Sequence, residues 1–194
     1  MLRNIFYITL MTTLLGCASK GNITAQSEVD SDEYTNIQTE MCEKVMCQYN
    51  VRVILKNKDG ALYDKTFESM PVVQDEGVLV IAGQTVYFEA DIKNDFLTNL
   101  KLVNVVSNPQ KTVTAKLEQM EDGGMMLSLK NPFDKHLRIK MGIMPLDKEE
   151  LYATSSCPVI ANGGSYEMWP YPIFQVWLGA PRLLSENENM GCIK

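Results

Sequence analysis

A chain of 194 residues with 45% apolar and 22% charged side chains has the composition of a globular protein, and enough of it for one core of ordinary size. With 24 acidic against 18 basic side chains it lacks the cationic stripe that phosphate backbones or anionic headgroups require, which excludes nucleic acid as the expected partner.

At the N-terminus, Arg3 precedes an apolar stretch, Ile5–Leu15, interrupted only by Thr9, Thr12 and Thr13. A stretch of this length falls well short of the roughly 20 apolar residues needed to cross a bilayer, and with its basic start it has the pattern of a signal peptide. It ends in Leu14-Leu15-Gly16-Cys17. These four residues resemble the lipobox of bacterial lipoproteins. The resemblance implies cleavage after residue 16 and acylation of the Cys17 sulfur, a nucleophile able to take a diacylglyceryl group. Multiple acyl chains, each buried methylene contributing about 0.8 kcal/mol, would make the anchor stable. Ala18 after the cysteine, in place of Asp, implies sorting to the bacterial outer membrane, with the protein facing the periplasm. Loss of Arg3 on cleavage takes the formal net charge from −6 to about −7.

From residue 17 to residue 40 the chain is rich in Ser, Thr, Asn, Gln, Asp and Glu, and it reads as a lipidated tether with an end-to-end distance of about 25 Å. Residues 41–194 are then expected to form one domain. Four cysteines remain in it, and an even number in an exported chain reads as two disulfides. Cys42–Cys47 with Cys157–Cys192 is the favoured pairing, since the first closes a local loop and the second pins the C-terminal tail. The other two pairings, which lace the start of the domain to its end, stay open.

Beyond Cys47 the apolar periodicity is two. Strands are expected at 49–57, 61–67, 78–82, 85–91, 100–106, 111–119, 125–130, 136–144 and 173–178, the last apolar on both faces. Asp59-Gly60 and Asp122-Gly123-Gly124 are hairpin turn signals. Inward positions are Val113, Ala115 and Leu117, then Met125, Leu127 and Leu129, then Leu137, Ile139, Met141 and Ile143. Short segments at 40–46 and 147–152 can make a helical turn, but no helical layer is expected. The stretch 145–172, with Pro158, Gly163, Gly164, Pro170 and Pro172, reads as a long irregular loop. Eight or nine short strands with regular turns predict an all-β, antiparallel β-sandwich, immunoglobulin-like or alternatively transthyretin-like.

Catalytic chemistry finds little to build on. The only histidine, His136, falls on the polar side of its strand, and Cys157, the thiol that a catalytic pair would need, is already assigned to a disulfide. Adjacent acids such as Asp75/Glu76, Glu121/Asp122 and Glu149/Glu150 sit in turn-like stretches. No phosphate loop or calcium loop is present, so no catalytic residue, metal or cofactor is expected. Twelve methionines raise Cu(I) binding as an alternative, with Met120 and Met126 on one hairpin face. Trp169-Pro170-Tyr171-Pro172 offers rings held by prolines, and Trp169 and Tyr171 are the candidate binding residues. The expected protein is a non-catalytic envelope lipoprotein that binds another protein or serves as an accessory subunit. Its alternatives are a copper or glycan binder and a cell-wall-acting enzyme or inhibitor.

Overall fold

The computed structural model describes residues 41–74 and 76–193; the signal segment, Cys17 and the tether lie outside the described residues. Among the described residues eleven strands follow one another: β1 (Met46–Lys56), β2 (Leu62–Gln74), β3 (Gly77–Ile81), β4 (Thr85–Lys93), β5 (Phe96–Val103), β6 (Val113–Gln119), β7 (Met125–Lys130), β8 (Leu137–Pro145), β9 (Tyr152–Thr154), β10 (Gly164–Trp169) and β11 (Ile173–Leu183). Every ladder is antiparallel. The fold is all-β and sandwich-like.

One layer runs β1-β2-β3-β11-β8-β9 and the other β5-β4-β6-β7-β10, with β11 belonging to both. Its first part pairs with β3 from Gln175 to Gly179, and Arg182 then pairs with Phe96 of β5. Between them the register with β8 shifts, Ala180 takes φ 44°, and Pro181 has no N–H to offer a ladder. This bulge turns the corner between the layers. Ala180 N–H donates to the Glu76 carbonyl at 2.7 Å and Leu183 N–H to the Asp95 carbonyl at 2.7 Å, so both of these N–H groups stay satisfied through the bulge.

The core follows the period-two reading. Val53, Val80, Phe88, Leu117, Leu127 and Ile139 are each 1% exposed or less. The Asp122-Gly123 turn closes the β6–β7 hairpin, with Gly123 at φ 87°, where a side chain would be strained. The β4–β5 hairpin is longer than the expected strands 85–91 and 100–106. Asn94 and Asp95 both take positive φ, 52° and 64°, and so make the two-residue turn that lets β4 and β5 run to its edge.

Two expectations are corrected. Residues 145–172 are not one irregular loop, because β9 pairs with β8 and β10 pairs with all of β7. Nor does β2 stop near Phe67. It continues through buried Pro71, which lies opposite Cys47 beside the register shift in β1. The segment after Met41 does make one turn, with the N–H groups of Lys44 and Val45 both bonded to the Met41 carbonyl.

Candidate functional site

The outer face of the β3-β11-β8 layer carries a groove of about 840 Å³. Its floor is Trp177, half-exposed in the middle of β11. The register places Gly179 opposite Gly77, and the indole lies over this pair. A Cβ at Gly179 would sit 1.9 Å from the ring carbon Cη2 and 2.1 Å from Cζ2; one at Gly77 would sit 2.6 Å from Nε1. Only hydrogen fits beneath the ring at either position. Gly142 of β8 lies opposite Trp177, and a Cβ there would sit 3.8 Å from both Leu151 Cδ2 and the tryptophan Cβ. A large aromatic over paired strand glycines recovers the contact area that the glycines forgo.

The walls come from both ends of the described chain. Met41 and Val45, in the turn before β1, form one side, and that turn is closed by the disulfide Cys42–Cys47. Ile193 contributes from the tail, which the disulfide Cys157–Cys192 joins to the strand segment after β9. Ser156 and Ile193 exchange two backbone bonds of 2.8 and 2.9 Å, and the Ser156 hydroxyl donates to the Ile139 carbonyl at 2.5 Å. Leu151, 47% exposed, stands at the rim. Each wall is thus fixed by a covalent cross-link beside it, and the concavity exists before anything enters it.

The tail has further clamps. Arg138 donates through Nη2 to the carbonyls of Asn189 and Gly191. Arg182 forms a two-pronged pair with Glu188, one prong 3.0 Å long, and Ser185 N–H donates to the same carboxylate. Arg182, helped by Ser185, holds the Glu188 carboxyl down from 4.5 to about 2. The folded value lies below the unfolded one, so the stabilisation is complete above about pH 4.5 and disappears as pH falls toward 2. The melting-temperature gap between the wild type and Glu188→Gln should therefore be present at pH 6 and close by pH 2. An equal gap at both would contradict this.

The residues singled out from sequence fall elsewhere. Trp169 is 8% exposed and belongs to the core, so its ring is not offered to a partner. Tyr171 is half-buried and packs on the core, with the Lys58 ammonium 5.4 Å above its ring. It lines a separate cavity of about 580 Å³ with Asn57, Asp59 and Pro145. The two rings therefore do not form a joint anchor. Cys157 is bonded to Cys192 and is no thiolate, and His136 accepts a bond at Nδ1 from Ala161 N–H, 3.1 Å away, bracing the loop before β10.

Met126 pairs with Glu118 on one side and with Met168 on the other, so Met168 joins Met126 and Met120 on the outer face of β6-β7-β10. Among the described residues, no three His, Cys, Asp or Glu side chains converge as metal ligands, and no helix is long and apolar enough to cross a membrane.

Sequence reasoning missed Trp177. The available signal was a strand apolar on both faces with a glycine two residues after its tryptophan, the mark of a close approach on the second face. No family model matches the chain, and neither a curated protein nor a solved structure is significantly similar to it.

Proposed function

We propose that this chain is an outer-membrane lipoprotein, anchored by acyl groups on Cys17 and facing the periplasm, that binds another envelope protein through the groove over Trp177 without catalysis. The observation that carries this reading is the indole seated on Gly77 and Gly179 between two walls held by disulfides. A fixed, half-exposed tryptophan in a mostly apolar concavity is the kind of anchor on which interface energy concentrates. Its volume falls in the range of about 300–1,000 Å³ typical of preformed binding sites. Two disulfides suit an oxidising compartment, in keeping with export. We read the finer topology as immunoglobulin-like rather than transthyretin-like, on the support of the antiparallel ladders and the return of β11 between β3 and β8.

The test is a photo-crosslinking side chain at Leu151 or Ala153, on the groove, and at Ile92, exposed but not lining it, in intact cells. A discrete adduct with a second protein is expected from the groove positions alone, and it should disappear when Gly179→Ala displaces the indole. Identical adducts from Ile92, or none from the groove, would refute the reading. Mass spectrometry of the mature N-terminus checks the anchor separately.

A further inference from the structure

β10 is the last strand of its layer, and one long side of it faces no other strand. Which backbone groups point that way follows from the neighbouring hairpin. Met120 N–H donates to the Gly124 carbonyl at 2.8 Å, so Met126 and Ser128, in step with Gly124, turn their backbone groups toward β6. Met125, Leu127 and Leu129 turn theirs toward β10, where they meet Trp169, Glu167 and Ser165. The N–H and C=O groups of Gly164, Tyr166 and Met168 are left on the open side. Among the described residues, no backbone bond beyond the β7 ladder engages them.

Open edges are normally blunted. β1, at the far end of the sheet, is kinked at Asn50, φ 55°, and the Gln119 amide takes up both the N–H and the C=O of Lys56, at 2.7 and 2.9 Å. β9 is only three residues long. β10 carries no proline, lysine or bulge, and it exposes Tyr166 by 69% and Met168 by 65%.

We propose that β10 pairs antiparallel with β10 of a second copy, about a two-fold axis at Tyr166, so that two layers join into one continuous sheet. This register matches all three outward-facing residues, Gly164 opposite Met168 and Tyr166 opposite itself, and makes up to about six backbone bonds. Moving the axis to Glu167 sets two carboxylates face to face and brings Pro170, which has no N–H, opposite Gly164. Moving it to Ser165 leaves Met168 without a strand partner. With the axis at Tyr166, Glu167 of the partner subunit stands opposite Ser165, whose hydroxyl oxygen is buried and has no hydrogen-bond partner within the chain. Met168 lies across from a residue with no side chain, and the two Tyr166 rings meet as a cross-strand aromatic pair. Six residues from each copy bury less than the ~1,000 Å² of a tight interface, so free copies associate weakly and a shared surface or high concentration promotes pairing.

In this register the two Tyr166 Cα atoms come within about 5.5 Å, the spacing a disulfide spans, whereas the two Met168 residues stay far apart. The full chain carrying Tyr166→Cys, exported in cells, should therefore give roughly tenfold more disulfide-linked dimer than Met168→Cys on a non-reducing gel. Independently, Tyr166→Pro removes an N–H that β7 does not use, and should keep the β-sheet circular dichroism while abolishing self-association in sedimentation at high concentration. Equal dimer from both cysteine variants would overturn the proposal. So would a wild type that sediments as monomer at high concentration together with a Tyr166→Cys variant that forms no linked dimer, or a Tyr166→Cys adduct with another protein only. None of these outcomes touches the Trp177 groove, so the two readings fail separately.

Discussion

Converting Cys157 and Cys192 together to serine is expected to lower stability by about 4 kcal/mol, the loop-entropy effect of a cross-link spanning 35 residues. The matching change at Cys42 and Cys47, five residues apart, should cost nearer 2 kcal/mol. Denaturant midpoints of the two variants against the wild type provide the comparison. The larger effect also has a local signature. Without its sulfur bridge the tail keeps the Ser156–Ile193 bonds and the Arg138 and Arg182 contacts, but the wall of the groove opens more often. Amide exchange at Ile193 should rise well beyond the change at β6 or β7. Equal losses from both disulfide deletions would mean that the tail is held mainly by its ion pair and backbone bonds.

Asn131→Ala should cost about 3 kcal/mol, because this fully buried amide satisfies several backbone groups at once. Its Nδ2 donates to the carbonyls of Lys135, Val159 and Ile160, and its Oδ1 accepts from Phe133 N–H at 3.0 Å. The same residue's backbone N–H bonds Gly163, so Asn131 fixes the segment that delivers the chain into β10. Asn131→Asp should be worse than alanine near neutral pH, since a carboxylate oxygen would face three carbonyls that now receive N–H bonds. Thermal melts of the two variants at neutral pH make the test. An aspartate variant as stable as the wild type would mean that the amide donates little.

Much of the fold was legible because its central strands obey simple alternation: Val113/Ala115/Leu117 and Leu137/Ile139/Met141/Ile143 are buried as their spacing requires. β10 was not legible, because its pattern is inverted. Its outward residues are Tyr166 and Met168, while Ser165 and Glu167 face the margin of the layer. A strand at an edge need not bury its apolar side, so the usual inference from alternation fails there. The groove was hidden for a different reason. Trp177 acquires its floor from Gly77, about a hundred residues earlier, and its walls from the two ends of the described chain. Periodicity is a local quantity and carries no information about such pairings, whereas the proline-fixed Trp169 drew notice for a local rigidity that serves packing instead.

The corner in β11 bears on when this protein can fold. The strand that both layers share comes after all the other described strands in the chain, so its partners in β3, β5 and β8 are synthesised before it. Until residues 173–183 emerge, each layer lacks the strand that joins it to the other, and closing the structure requires contacts far apart in sequence, a topology that folds on the millisecond-to-second scale. Earlier segments can therefore form only local hairpins such as β4–β5 and β6–β7, and the two layers lock together once residues 173–183 are in place.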